Sequence, residues 1–280
     1  MLDSVNEQLL GKVVDVCIVA GEEILKVYNQ SGDVSVELKS DDSPVTAADL
    51  AAHKVLVPVL KGLLPSVPLL SEEGHLPEWS VRKGWETYWI IDPLDGTKEF
   101  INRNGEFTVN VALVHKGKPI LGVVYVPVSG ITYCGLYSSS EKGAWKIMNG
   151  EKTRIESRSL ASVSRGDTPF VLVASRRHGA EQVNALINRL EAQFGELQTS
   201  SMGSSLKLCL VAEGKADLYP RLALTSEWDT AAAQAVVEAA GGQVLTYNLE
   251  DMLYNTKDDI LNPFFYVVGD PSHDWPTLLD

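Results

Sequence analysis

Trp89-Ile90-Ile91-Asp92-Pro93-Leu94-Asp95-Gly96-Thr97-Lys98-Glu99 runs an apolar strand straight into two carboxylates three residues apart. Pro93 and Gly96 predict a turn of the intervening backbone. Such a turn aims both carboxylates and the Leu94 carbonyl at one point, the all-oxygen arrangement that hard divalent cations take. Thr97 adds a hydroxyl at the same edge. A lone D-x-x-D of this kind is more often a polar turn that caps a helix, here one starting near Thr97.

Two further segments shift that balance. Leu69-Leu70-Ser71-Glu72-Glu73-Gly74 again ends an apolar run in carboxylates, where a strand meets a loop. Glu227-Trp228-Asp229 stands directly ahead of an Ala-rich helix. Asp is a favoured N-cap there, yet an aspartate at a helix start can serve a metal as well. Like charges held close are costly unless a cation compensates. Two metals about 3.5–4 Å apart can polarise a phosphoryl oxygen, activate a water and stabilise the leaving oxygen.

Around these segments lies an ordinary globular composition. The chain has 280 residues, 45% hydrophobic and 22% charged, enough for a sizeable core. Its net charge of -13 argues against a broad basic surface for nucleic acid polymers. A small anion remains possible as a ligand, because a local cation outweighs the global field. Cys17, Cys134 and Cys209 are far apart and form no C-x-x-C, which points to reduced thiols in a cytosol. Met1-Leu2-Asp3 offers no basic region ahead of an apolar stretch, so no signal peptide is expected. No run of apolar residues is long enough to span a membrane.

Apolar periodicity predicts a helix over residues 4–28 and a second from Thr46, with Pro58 kinking it. Strands are expected at Thr87–Ile91, Phe107–Val114, Ile120–Val126 and Ile131–Tyr137. After about Gly150 strands and helices alternate: strand Phe170–Ala174, helices Ala180–Gln193, Ser204–Glu213 and Asp229–Ala240, and strand Phe264–Val268. This suggests an α/β half behind an α+β half, divided as 1–160 and 161–280 and sharing an interface.

Glu72, Asp92-Pro93-Leu94-Asp95-Gly96-Thr97 and Trp228-Asp229 resemble, in order and spacing, the motifs of the inositol-monophosphatase-like, magnesium-dependent, lithium-sensitive phosphatases. The resemblance covers nearly the whole chain. Ser43–Asp49, Asp95–Ile101, Asn104–Ala112 and Ser204–Gly214 look most like the CysQ-type 3'(2'),5'-bisphosphate nucleotidases within that family. The resemblance implies a layered αβαβα sandwich. It implies hydrolysis of 3'-phosphoadenosine 5'-phosphate (PAP) to AMP and phosphate with two or three Mg2+ ions, PAPS being a related substrate.

Carried over position by position, the family pattern makes Glu72, Asp92, Asp95 and Asp229 side-chain metal ligands and Leu94 a carbonyl ligand. Asp49 and Thr97 are then the pair that orients and deprotonates the attacking water. The phosphate sits among these groups, against Gly96 and Thr97. His178, Ser204, Lys207 and Arg221 match positions that hold the AMP portion, and Lys98 either contacts substrate or neutralises the acidic cluster. An ordinary basic loop accounts for Arg176, Arg177 and His178 nearly as well. Ser204 and Lys207, three apart on an expected helix, share a face. The family also implies a cytoplasmic protein, free or peripheral at the inner face of the membrane, monomeric or dimeric.

Three other readings remain at this stage. The same chemistry can act on inositol monophosphate, fructose 1,6-bisphosphate or PAPS; Lys98-Glu99-Phe100 favours a nucleotide. A metal-binding protein without catalysis has no need of Asp49 and Thr97. A purely structural α/β protein would use the acidic turns only as caps.

Overall fold

The structure, a computed structural model, describes residues 4–30, 36–38, 44–137, 141–164, 166–173 and 180–279. The chain opens with helix α1 (Glu7–Tyr28), the antiparallel pair β1 (Val36–Leu38) and β2 (Pro44–Thr46), and helix α2 (Ala47–Leu63). Strand β3 (Leu69–Ser71), the short helix α3 (Trp79–Arg82), β4 (Thr87–Asp95) and the short helix α4 (Thr97–Ile101) follow. A meander comes next: β5 (Thr108–His115), β6 (Lys118–Val126), β7 (Ile131–Tyr137), β8 (Lys142–Met148) and β9 (Glu151–Ile155). The remainder is α5 (Ala161–Ser164), β10 (Phe170–Val173), α6 (Ala180–Phe194), β11 (Leu197–Ser200), α7 (Leu206–Ala212), β12 (Leu218–Arg221), α8 (Glu227–Ala239), β13 (Gln243–Thr246), β14 (Phe265–Val268) and α9 (Pro276–Leu279).

Strands β3 to β9 form one sheet in sequence order, antiparallel except for β3 beside β4. A second sheet runs β11-β10-β12-β14-β13, with β10 parallel to both neighbours and the other pairs antiparallel. Side chains alternate across a strand, so each sheet has two apolar faces to cover. Trp89, Ile91, Val111, Leu113 and Val123 face α1 and α2, meeting Val13, Cys17, Ile24 and Leu56. Ile90, Ala112, Val124 and Ala144 face the other way, onto Ala232 and Val236 of α8. The same cluster reaches Tyr219, Val244 and Phe265 of the second sheet. That sheet's far face, with Phe170, Leu172 and Val268, packs on Leu186 and Leu190 of α6 and Leu278 of α9. The layers therefore read helix, sheet, helix, sheet, helix: the αβαβα sandwich.

Helix α8 is seated unusually low on the first sheet. Ala112, Gly122, Gly135 and Ala144 pair side by side across β5, β6, β7 and β8. A Cβ on Gly122 would lie 2.1 Å from the Ala232 carbonyl oxygen, and one on Gly135 would lie 2.7 Å from that of Ala235. The row is a trough in which helix backbone rests on strand backbone.

Several local expectations are corrected. Strands β8 and β9 are additional to the expected ones; β9, at the edge of the sheet, is Glu-Lys-Thr-Arg-Ile with its first four residues exposed, so it carries no apolar alternation. Helix α7 begins at Leu206 rather than Ser204, whose φ of +48° is left-handed. The turn expected between Asp92 and Asp95 is a bulge within β4.

Candidate active site

The ladder pairs Asp92 with Asn110 and Asp95 with Thr108, so Pro93 and Leu94 together stand opposite Val109. Pro93 has no N–H to give to a ladder, and a bulge is where a strand tolerates that. Within the bulge the Leu94 N–H donates to Asp92 Oδ1 at 3.0 Å. Gly96 then ends the strand with φ +92°. A Cβ there would sit 2.2 Å from Ser204 Oγ, so both the backbone angle and the space require glycine.

Two other aspartates arrive as helix caps. Thr46 caps α2, and its backbone N–H and Oγ1 donate to Asp49 Oδ2 at 2.8 and 2.7 Å. Ser226 caps α8, and its N–H donates to Asp229 Oδ2 at 2.8 Å. Each aspartate is the third helical residue of a capping box. The cap and ligand readings of Asp229 are thus compatible: Oδ2 closes the helix and Oδ1 is left for the site. Asp49 repeats the arrangement, and its Oδ1 accepts from Thr97 Oγ1 at 3.4 Å.

Glu72 follows β3, with its N–H on the Ile91 carbonyl at 3.2 Å, and so comes beside β4. Glu72, Asp92 and Asp229 converge: one carboxylate oxygen from each lies within 4.8 Å of the others. Asp92 is buried and the other two are half-buried. Burial first, then the neighbouring carboxylates Glu72, Asp95 and Asp229, hold the Asp92 carboxyl well above the usual range. Burial and the charges of Asp95 and Glu72 do the same to Asp229. Oxygen-only donors under mutual repulsion fit a hard divalent cation, which would relieve the strain directly.

Asp95 is held from behind. Ser205 N–H and Oγ donate to its Oδ2 at 2.8 and 3.0 Å, and Asn110 Nδ2 lies 3.4 Å from the same atom. Thr108, Asn110 and Ser205, all buried, bond to one another. Ser204 Oγ donates to the carbonyls of Asp95 and Glu106 at 2.9 and 2.7 Å. Burial raises the Asp95 carboxyl, opposed by the Lys207 charge and the Ser205 bonds. Sequence reasoning gave no role to Ser205, Asn110 or Thr108, although all three lie in the stretches that carry the resemblance. The signal was available: polar residues at alternate positions of the apolar run Thr108-Val-Asn110-Val.

A cavity of about 320 Å³ opens beside this group, lined by Asp95, Gly96, Lys98, Ser204, Lys207 and Arg221 among others. Lys207 is buried, and its Nζ donates to the carbonyls of Met202 and Ser204 at 3.0 and 2.9 Å. Ser204 and Lys207 thus meet through the backbone ahead of α7, not as neighbours on one helix face. Burial pushes the Lys207 ammonium down to about 8 despite the pull of Asp95. Arg221 donates to the Leu224 carbonyl at 3.1 Å, while its buried Nε has no partner. Lys98 is exposed at the rim. His178 lies outside the described residues.

The sequence profile described as the inositol monophosphatase family matches residues 5–269. The chain belongs to the inositol monophosphatase family. It is 47% identical over 259 residues to the 3'(2'),5'-bisphosphate nucleotidase CysQ of Escherichia coli K12, covering 92% of this chain and 99% of that one. It is 35% identical to the CysQ of Haemophilus influenzae, covering 98% of each. Among solved structures it resembles CysQ from Bacteroides thetaiotaomicron, with a TM-score of 0.79, 40% identity and coverage of 94% and 97%. The suppressor protein suhB from Bartonella henselae matches at 23% identity and TM-score 0.75, over 97% of each chain, and shares the fold. Enzymes of the inositol monophosphatase family use divalent metals, in keeping with the acidic cluster at the mouth of this cavity.

Proposed function

We propose that the protein is a magnesium-dependent 3'(2'),5'-bisphosphate nucleotidase that hydrolyses PAP to AMP and phosphate. The observation that carries this reading is the two-ended site. A carboxylate cluster and a capped Asp49–Thr97 pair stand at one end, and a cavity with Lys207, Arg221 and Lys98 at the other. The 47% identity to a protein named as such a nucleotidase supports the same substrate.

Glu72, Asp92, Asp95 and Asp229, with the Leu94 carbonyl, would hold two or three Mg2+ ions, which would supply positive charge for the phosphoryl oxygens and lower the pKa of the attacking water. Asp49 takes the water's proton through Thr97. Burial pushes the Asp49 carboxyl up to about 6, against the Thr46 hydrogen bonds, so it is basic at neutral pH and poised to accept. The phosphate lies against Gly96 and Thr97, and attack is in line with no covalent enzyme intermediate. Lys207 and Arg221, with Ser204 and His178, hold the nucleotide end, and Lys98 closes the rim. Lys207 is costly to keep charged when the cavity is empty, and the second phosphate of a bisphosphate relieves that cost.

Among the described residues no helix is long and apolar enough to cross a membrane. Cys17, Cys134 and Cys209 are buried free thiols, which supports a cytoplasmic protein. We read residues 1–160 as the half that carries most of the metal site and 161–280 as the half that carries Asp229 and the nucleotide contacts.

The test is phosphate release from PAP, with Mg2+ and with EDTA, beside PAPS, inositol monophosphate and fructose 1,6-bisphosphate. Magnesium-dependent preference for PAP is expected. Activity confined to inositol or sugar phosphates would keep the metal site and overturn the nucleotide pocket.

A further inference from the structure

The acidic cluster draws its members from distant stretches of chain, and a buried polar network joins Arg82, further along the Glu72 segment, to Glu227, just ahead of Asp229. Glu72 stands on the segment between β3 and α3, and α3 ends at Arg82. Arg82 is fully buried. Its Nη1 donates to Asn255 Oδ1 at 2.9 Å and to the Lys257 carbonyl at 3.1 Å, and its Nη2 donates to the Asp258 carbonyl. Asn255 Nδ2 returns a bond to the Arg82 carbonyl at 2.6 Å. The Asn255 N–H then donates to both carboxylate oxygens of Glu227, at 2.9 and 3.0 Å. Glu227 opens α8, two residues ahead of Asp229.

The chain beyond Asn255 continues along the same helix start. Glu227 N–H donates to the Ile260 carbonyl at 2.9 Å. Asn262 Nδ2 donates to the Ser226 carbonyl at 2.7 Å and to Thr230 Oγ1 at 3.0 Å. Residues 255–262 are therefore a strap, anchored at one end on Arg82 and at the other on the cap that holds Asp229. A buried arginine needs partners wherever it lies, but that need does not dictate joining the Glu72 segment to the start of α8. Apolar packing would fill the space at lower cost than an Arg-Asn-Glu relay. The relay also keeps Asn255 at φ +54°, in the left-handed region.

We propose that the Arg82–Asn255–Glu227 relay is a positioning device that sets the separation of Glu72 and Asp229 across the cation site. It rests on the reading of those two residues as metal ligands. Asn255 touches neither the acidic cluster nor the cavity; it acts through Glu227 on one side and Arg82 on the other.

Asn255→Gly deletes both side-chain bonds to Arg82 while keeping the left-handed backbone and the N–H to Glu227. Asn255→Asp keeps the acceptor for Arg82 Nη1, loses the donor to the Arg82 carbonyl and tolerates the same backbone angle. The readout is Mg2+ binding to the full chain, followed by calorimetric titration and by thermal shift. The Mg2+ midpoint of Asn255→Gly is expected to rise about tenfold, the low end of what is lost behind a metal ligand, with Asn255→Asp, which keeps one of the two bonds, between it and the parent. An Asn255→Gly protein that melts lower in EDTA yet keeps the parent midpoint overturns the proposal and leaves a purely structural network. Arg82→Lys keeps the charge and removes the planar fork; it carries the same expectation and decides the matter if Asn255→Gly does not fold. A parent protein that shows no Mg2+ response at all is a different signature: it sinks the metal-ligand reading itself, and the positioning role with it.

Discussion

Replacing Asp92 by asparagine should move stability and activity in opposite directions. Asp92 is 2% exposed, and its ligand oxygen lies within 4.8 Å of those of Glu72 and Asp229. The amide keeps the shape and the oxygen that accepts the Leu94 N–H, and removes one charge. Two unit charges 4 Å apart at an effective dielectric of about 20 repel by about 4 kcal/mol. The raised pKa of Asp92 means that a proton already offsets part of this. The substitution should therefore stabilise the metal-free protein by about 1–2 kcal/mol. For a chain of this size that is a melting point about 2–6 °C higher in EDTA. With magnesium the sign reverses: the Mg2+-induced rise in melting temperature should vanish, and turnover should fall about 100-fold or more.

The same repulsion sets a pH dependence. Folded carboxyls whose pKa is raised bind protons more tightly than unfolded ones, so the parent in EDTA gains stability as pH falls through the raised value toward the ordinary one, and Asp92→Asn gains less. Scanning calorimetry in EDTA and in Mg2+, beside phosphate release, reads all of this. A lower melting point in EDTA would refute the repulsion argument, and parent-like turnover would refute the ligand role.

Asp49, at about 6, should give the pH profile of kcat an acid limb near that value, with activity lost as pH falls through it. Asp49→Asn should remove the limb and lower kcat by about 100-fold or more; an unchanged limb would assign the base elsewhere. Lys207→Met should raise the KM for PAP by about 10- to 100-fold with a smaller effect on kcat, as expected for loss of a charge-assisted bond. In the parent, that KM should climb above pH 8 as the ammonium, held at about 8, loses its proton. A flat KM from pH 7 to 9.5 would remove Lys207 from the substrate's contacts.

The carboxylates were legible in the sequence because their chemistry leaves little choice of residue. A hard-cation site needs charged oxygens, and D-P-L-D-G-T, the acidic pair at Glu72 and W-D at Asp229 each set them beside an apolar run. The layers were legible from resemblance more than from periodicity, since β9 and β11 carry polar residues that edge positions permit. The bulge in β4 read as a turn because Pro and Gly mark both, and only the partner strand β5 tells them apart. The support behind Asp95 escaped for a different reason. Thr108 and Asn110 lie 97 and 95 residues from Ser205, and although their alternation in an apolar run marks them, no local pattern encodes whom they meet. Arg82 escaped likewise, as an unremarkable basic residue in a polar segment until burial singles it out.

The trough under α8 has a further meaning. Where strand and helix backbones touch, there is no layer of side chains to yield, so a methyl group added at Gly122 or Gly135 presses on the backbone of α8 itself. These two positions lie well inside the sandwich and bear no chemistry. They nevertheless fix how closely α8 lies on the sheet, as a bearing surface carries the alignment of a shaft. The freedom of this sequence to vary is narrowed at two residues that never meet a substrate.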